Sequence, residues 1–214
     1  MNSELSKRTL TSIIILIVSI FFLYQGHIFF GIFLIIIFIL SFLEWIKLSI
    51  NKISFFFGIF FLIVSFTTIY LLRSENLFFF IISILISVFS DIGGYVFGKI
   101  LKGPKLTKIS PNKTISGMIG SFIFSLIAVS FYFYIDEKFF QLNNEYYYNF
   151  NFLFIVLILS SINQLGDLII SYFKRKKNIN DTGKILPGHG GILDRIDGMI
   201  FSVPTTYFIY KLFL

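Results

Sequence analysis

An all-α, polytopic bundle of membrane-spanning helices is the fold class this chain predicts, on three observations. Of its 214 residues, 56% are apolar, 20% aromatic and only 14% charged, with a mean hydropathy of +0.87. A soluble domain carries nearer a quarter charged residues. The apolar residues gather in seven runs, each near the ~20 residues that cross a hydrocarbon core as a helix. In lipid the backbone amides must pair internally, which favours helices for such runs. Finally, Lys and Arg concentrate in alternate gaps between the runs, the charge asymmetry that orients inserted helices. The gaps leave no room for a soluble domain, so residues 1–214 read as one membrane domain. The chain has no Cys, which excludes disulfides, thiolate metal sites and Cys nucleophiles.

The first run covers residues 9–24. Lys7 and Arg8 precede it as in a signal peptide, but Tyr24-Gln25-Gly26-His27 offers no small-residue cleavage site. An uncleaved span is expected. Runs at 28–46, 54–72, 77–98, 114–135 and 151–173 follow, and the last, at 198–214, is short like the first. About seven spans result, with the N-terminus cytoplasmic. The inner segments 1–8, 47–53, 99–113 and 174–197 then hold fifteen of the 18 Lys and Arg, leaving Arg73, Lys138 and Lys211 outside. The net charge of +7 is therefore a topology signal plus an anion site, not a nucleic-acid footprint. The outer loop 136–150 is polar and aromatic, as suits an interfacial belt. Residues 1–80 hold the N-terminal spans, and 85–200 hold the chemistry.

Two carboxylates, Asp91 and Asp167, lie within apolar runs. A charge at membrane depth is costly, so it is usually paired, faces a polar cavity and carries function. Ser83, Ser87, Asp91 and Tyr95 fall on one helical face; Asn163, Asp167 and Ser171 fall on another, with Lys174 one turn beyond. Both stripes are expected to face the bundle interior. A structural ion pair is the bland alternative. Asp194 and Asp197 are three apart and share a face of a helical turn. Paired carboxylates of this kind suit Mg²⁺ with substrate phosphates, although acids at a helix start also complement its dipole.

Between Asp167 and Asp194 lies Pro187-Gly188-His189-Gly190-Gly191, a backbone able to fold tightly and aim its amides at phosphate oxygens. His189 could bind phosphate or merely order the turn. The run Lys174-Arg175-Lys176-Lys177 ends a span at the inner surface, where basic side chains anchor to anionic lipid heads. Lys174 and Arg175 continue the Asp167 face and could reach a site. The other basic loop breaks at Ser110-Pro111 and opens the next span at Lys113-Thr114, a helix start suited to phosphate. Ser116 and Gly117 could equally be close-packing small residues.

The stretch from Ser171 to Asp197 resembles the signature of the phosphatidate cytidylyltransferases (CDP-diacylglycerol synthases): Ser171, Lys174, Arg175, Asp181, Gly183, Pro187 to Gly191, Asp194, Arg195 and Asp197 stand at matching spacing. Gly166-Asp167, Asp91 with Gly94-Tyr95, and Ser110-Pro111-x-Lys113-Thr114-x-x-Gly117 fit too. The resemblance covers roughly residues 85–200, and the first three spans match only as hydrophobic segments. Departures are Asn180 for a usual Lys, Ile115-Ser116 for a common Trp-Glu, and Ile170 where Glu is frequent.

The resemblance implies CTP plus phosphatidate giving CDP-diacylglycerol and pyrophosphate. Asp167, Asp194 and Asp197, with Asp91 as a lesser candidate, would hold Mg²⁺ and a possible second cation. Lys174, Arg175 and Arg195 join the acids as catalytic residues. Ser110, Lys113, Thr114, Ser171, Asp181, Gly188, His189, Gly190 and Gly191 would bind substrate. Expected partners are CTP, phosphatidate, membrane lipid and a second copy of the chain, in a bacterial inner membrane with the site facing the cytoplasm. The alternatives are a CTP-dependent polyprenol or phytol kinase, a small ion-coupled transporter, and an inactive membrane scaffold.

Overall fold

A computed structural model describes residues 2–107, 109–136, 150–186 and 190–213, with side chains for 13–107, 109–136, 152–186 and 190–212. Lys138 and most of the outer loop lie outside the described residues, as do Gly188 and His189. Seven long helices take up the seven apolar runs: α1 (Asn2–Tyr24), α2 (His27–Leu48), α3 (Lys52–Glu75), α4 (Leu77–Leu101), α5 (Ile115–Ile135), α6 (Phe150–Lys176) and α8 (Met199–Phe213). A single turn, α7 (Leu193–Ile196), sits between the last two. Among the described residues there is no β-strand, only two isolated bridges. Helices α2 to α6 are long and apolar enough to cross a membrane. The apolar part of α1, Ile13–Tyr24, is shorter, and α8 has 15 residues.

The breaks between helices are set locally. Gly26 turns the chain between α1 and α2 at φ 101°, a conformation that favours glycine. Asn51 caps α3 by accepting from Ser54 N at 2.8 Å, while Ser54 Oγ accepts from Asn51 N at 3.0 Å. This reciprocal box satisfies two otherwise orphaned amides. Asn76 ends α3 and caps α4 in the same residue. Thr114 caps α5, its Oγ1 accepting from Gly117 N at 3.1 Å.

Helices α3, α4, α6 and α8 meet around Leu62, Ile82, Ile86, Leu159 and Ile200, all at most 1% exposed. Large Ile and Phe side chains such as Ile35, Phe56, Phe60 and Ile127 point outward, as lipid-facing surfaces do. Within lipid the hydrophobic effect gives helices little reason to associate, so small residues and polar contacts supply it. Ser87 and Ser202 hydroxyls pair at 2.7 Å between α4 and α8. Ser90 and Ser160 pair at 3.1 Å between α4 and α6. Ser121 donates to Ser90 O at 2.7 Å from α5. The α4–α5 seam is glycine on glycine: a methyl group added at Gly93 would stand 2.3 Å from Gly120 O, and one at Gly117 2.7 Å from Gly94 O. Gly117 is thus a packing residue, and the seam brings the start of α5, with Lys113, against the Asp91 end of α4.

One expected stripe is corrected. Ser83 and Ser87 are fully buried, but Tyr95 is 67% exposed and Asp91 is exposed as well. At this level α4 turns Gly93 and Gly94 toward α5, and although Asp91 still meets Asn163 of α6, Tyr95 one turn on points outward.

Candidate active site

The spine of the site is the polar line along α6. Three of its members each meet a different element. Asn163 Nδ2 donates to Asp91 Oδ1 of α4 at 2.9 Å. Asp167 Oδ2 pairs with Lys113 Nζ, just before α5, at 2.6 Å, and both side chains are about three-quarters buried. Ser171 Oγ donates to Asp167 Oδ1 at 3.2 Å, so the hydroxyl orients the carboxylate. Lys174 Nζ donates to Asp194 Oδ1 of α7 at 2.8 Å. Helical spacing placed these residues on one face; the fold gave them partners on three others.

Asp194 has more partners than its ion pair. Its Oδ2 accepts from Thr182 N at 2.8 Å, Gly191 N at 3.0 Å and Thr182 Oγ1 at 3.0 Å. Burial alone would raise this carboxyl, but the Lys174 ammonium hydrogen-bonded to it and the two amides outweigh that, holding it below the usual carboxylate range. Asp194 therefore holds Thr182 and Gly191 against α7. Gly190 adopts φ 84° beside it, where a side chain would be strained and an added methyl would stand 3.0 Å from Asp194 Oδ2. Asp181 is exposed next to Gly190.

Asp197, in the link between α7 and α8, is buried; its Oδ1 accepts from Gly198 N at 2.9 Å. Burial first, then the neighbouring Asp167 and Asp91 carboxylates, push it well above the usual range. Arg195 is exposed on α7, and Arg175 is exposed with Nη1 donating to Asn180 Oδ1 at 3.0 Å. The Asn180 departure is thereby absorbed locally. On the other basic loop, Ser110 O accepts from Lys113 N at 3.1 Å and Ser110 N donates to Thr107 Oγ1 at 3.2 Å, while Leu106 N donates to Lys113 O at 2.8 Å. Ser110 and Thr114 thus shape the turn that presents Lys113.

The predicted residues consequently form two neighbouring groups. Asp91, Asn163, Asp167 and Lys113 make one; Lys174, Asp194 and the glycine loop make the other. One residue escaped the sequence reading. Glu44 of α2 is 2% exposed and accepts from Ile192 N at 2.9 Å, Leu193 N at 2.8 Å and Thr182 Oγ1 at 2.7 Å. A carboxylate inside the run 28–46 was the available signal, by the same rule that singled out Asp91 and Asp167.

Comparison with known proteins settles the family. Residues 51–213 match the cytidylyltransferase family, well over half of the chain. The chain belongs to the cytidylyltransferase family. Among its relatives, a phosphatidate cytidylyltransferase of Staphylococcus haemolyticus (strain JCSC1435) is 41% identical over 170 residues, covering 76% of this chain and 62% of that protein. The phosphatidate cytidylyltransferase of Staphylococcus aureus (strain COL) is 41% identical over 174 residues, with the same coverage. That of Rickettsia bellii (strain RML369-C) is 45% identical over 126 residues, 58% of this chain and 54% of the relative. The chain spans about three-fifths of the length of the staphylococcal relatives it matches. Family membership and the apolar helices together make it an integral membrane protein.

The resemblance implies a divalent cation. Among the described residues no three acidic or His side chains approach closely enough, as they stand, to form a ligand group. The oxygens present nevertheless suit one. Asn163 Oδ1 is buried without a hydrogen-bond partner and lies against Gly198, where an added methyl would stand 2.3 Å from it. Asp91, Asp167 and Asp197 crowd the same region with mutually unfavourable charge. Hard oxygen donors whose negative charge exceeds what the Lys113 ammonium offsets fit a small divalent cation. Asp167 and Asp194 each have both oxygens engaged, the first by Lys113 and Ser171, the second by Lys174, Thr182 and Gly191, so either would have to release its lysine to serve as a ligand.

Proposed function

We propose that the chain transfers the cytidylyl group of CTP to phosphatidate, giving CDP-diacylglycerol and pyrophosphate. The observation that carries this reading is the α6 line. It gathers Asp91, Lys113, Asp167, Lys174 and Asp194 from four parts of the chain at one end of the bundle. That assembly of cations and carboxylates suits a polyphosphate at a membrane surface. The names of the relatives supply the nucleotide and lipid.

In this reaction an oxygen of the lipid phosphate bonds to the α-phosphorus of CTP. The bond from that phosphorus to the bridging oxygen of the β-phosphate breaks, and pyrophosphate leaves with the electron pair. The attacking oxygen is already anionic, so the chain needs no strong general base. Its task is positioning and charge neutralisation, as in other phosphoryl transfers. Lys113, Arg175 and Arg195 neutralise phosphate oxygens, and Lys174 does so when it releases Asp194. Gly190 and Gly191 lie along the triphosphate, and Gly188 and His189, outside the described residues, are substrate-binding candidates from the sequence alone. Asp167 and Asp197, with Asp91 and Asn163 Oδ1 at hand, would hold Mg²⁺; Asp194 joins them when Lys174 lets go. When bound, the cation offsets phosphate charge. The basic loops support a cytoplasmic position for this end, at a bacterial inner membrane. A pairing of two copies is part of the same reading.

The test is an assay of purified membranes with labelled CTP, phosphatidate and Mg²⁺, with a prenyl alcohol in a parallel arm. Labelled CDP-diacylglycerol is expected. A phosphorylated alcohol in place of CDP-diacylglycerol would move the reading to a lipid kinase, and turnover in neither arm would reject it.

A further inference from the structure

We infer that Glu44 is a positioning residue for the site, acting from a helix outside the 51–213 family match; this rests on the reading above. Its carboxylate is the only side chain among the described residues that accepts from both Ile192 N and Leu193 N. Those two amides stand at the start of α7, which has four residues and carries Asp194 and Arg195. So short a turn has almost no helical stability of its own. Its orientation comes from whatever holds its first amides, and Glu44 holds them with both oxygens.

The same carboxylate reaches the other arm of the loop. Thr182 Oγ1 lies 2.7 Å from Glu44 Oε2 and 3.0 Å from Asp194 Oδ2, and its one hydrogen serves one carboxylate at a time. The hydroxyl thus links the Glu44 clamp to the Lys174–Asp194 pair. Two signature glycines acquire a physical reason here. A methyl at Gly191 would stand 2.1 Å from Thr182 Oγ1 and 2.5 Å from Glu44 Oε2; one at Gly183 would stand 2.6 Å from Glu44 Oε1. The loop is glycine at these points because the Glu44 carboxylate passes through the space.

Glu44 is itself rigidly placed. The adjacent Trp45 is 5% exposed, donates from Nε1 to Phe55 O at 3.3 Å, and packs its ring on Phe173 of α6 at 4.9 Å between centroids. Gly58 of α3 lies so close that an added methyl would stand 1.9 Å from the indole. Trp45 wedges the end of α2 against α3 and α6, and Glu44 carries that fixed position to α7.

The test uses the full chain in nanodiscs, as Glu44→Ala and Glu44→Gln. Gln keeps the volume and one acceptor oxygen, so it reports even if Ala folds poorly. Hydrogen exchange at the Ile192 and Leu193 amides is read first and needs no turnover. It should accelerate at least tenfold in Ala and less in Gln, roughly the loss of one local free-energy decade. With CTP and phosphatidate, kcat should fall on the order of 10²-fold in Ala, the scale of a misplaced reacting group. KM for CTP should stay within about threefold, and Gln should recover part of kcat. Unchanged exchange, or faster exchange with unchanged kcat, would overturn the inference. Wild-type chain that does not turn over CTP would reject the reading of the previous section, and the exchange result would still decide whether Glu44 holds α7.

Discussion

Lys174→Met tests the link between the α6 line and the glycine loop. The substitution keeps a long flexible side chain and removes the ammonium that sits 2.8 Å from Asp194 Oδ1. The two side chains are 13% and 7% exposed, so water does little to screen the pair. Breaking a buried pair from one side costs about 3–5 kcal/mol, because the other charge is stranded. Asp194 keeps the Thr182 and Gly191 amides as donors, which brings the expected loss just below that range, to about 2–3 kcal/mol. At 1.4 kcal/mol per decade, the Thr182 and Gly191 amides should exchange roughly 30- to 150-fold faster. Hydrogen exchange with mass spectrometry on the peptide spanning Thr182 to Leu193 measures this directly. Asp194→Asn should loosen the same amides, and the double variant should cost about 1–2 kcal/mol less than the two singles added. Exchange within about threefold of wild type in Lys174→Met, or strict additivity in the cycle, would refute the argument.

Other consequences are open to measurement. Asp167→Asn should reduce CDP-diacylglycerol formation by about 10³-fold or more while leaving the protein in the membrane fraction, since Asp167 faces Lys113 and the Asp197 carboxylate. Gly93→Ala should force α4 and α5 apart at Gly120 O and lower stability by about 1–3 kcal/mol, read as the detergent melting temperature. Because Asp194 is held below the ordinary carboxylate range, its contribution is complete above about pH 4 and is lost only as pH falls through its lower folded value. Protection of the Gly191 amide, corrected for intrinsic exchange, should therefore be flat from about pH 7 to 5. In Lys174→Met the decline should begin at higher pH, since the cation that lowers Asp194 is gone. Thr114→Ala should cost about 1 kcal/mol through the lost α5 cap, with a shift of Lys113 visible as weaker turnover at limiting CTP.

The helices were legible from the chain alone, within a few residues at most ends. Apolar runs near the length of a bilayer core leave the backbone no other way to pair its amides, so hydropathy decides the secondary structure locally. Asn51, Asn76 and Thr114 mark helix starts by side-chain chemistry that acts within three residues. The α6 line was visible too, as polar residues at helical spacing. The single turn α7 was visible only as a face shared by Asp194 and Asp197. That Tyr95 points outward was not legible, because periodicity says which residues share a face and not which face meets a neighbour, and here glycines at 93, 94 and 98 make the α5 contact.

What the chain by itself determined is therefore an integral membrane helix bundle carrying a cation-rich, acid-rich signature near its C-terminal end. Tertiary structure decided the pairing: Lys113 with Asp167, Lys174 with Asp194, Asn163 with Asp91, and Glu44 with amides 148 and 149 residues away. Periodicity and capping act over a turn or two, whereas these contacts depend on how close two helices can approach. That approach is set by glycine seams and an indole wedge, whose effect exists only once the helices have met.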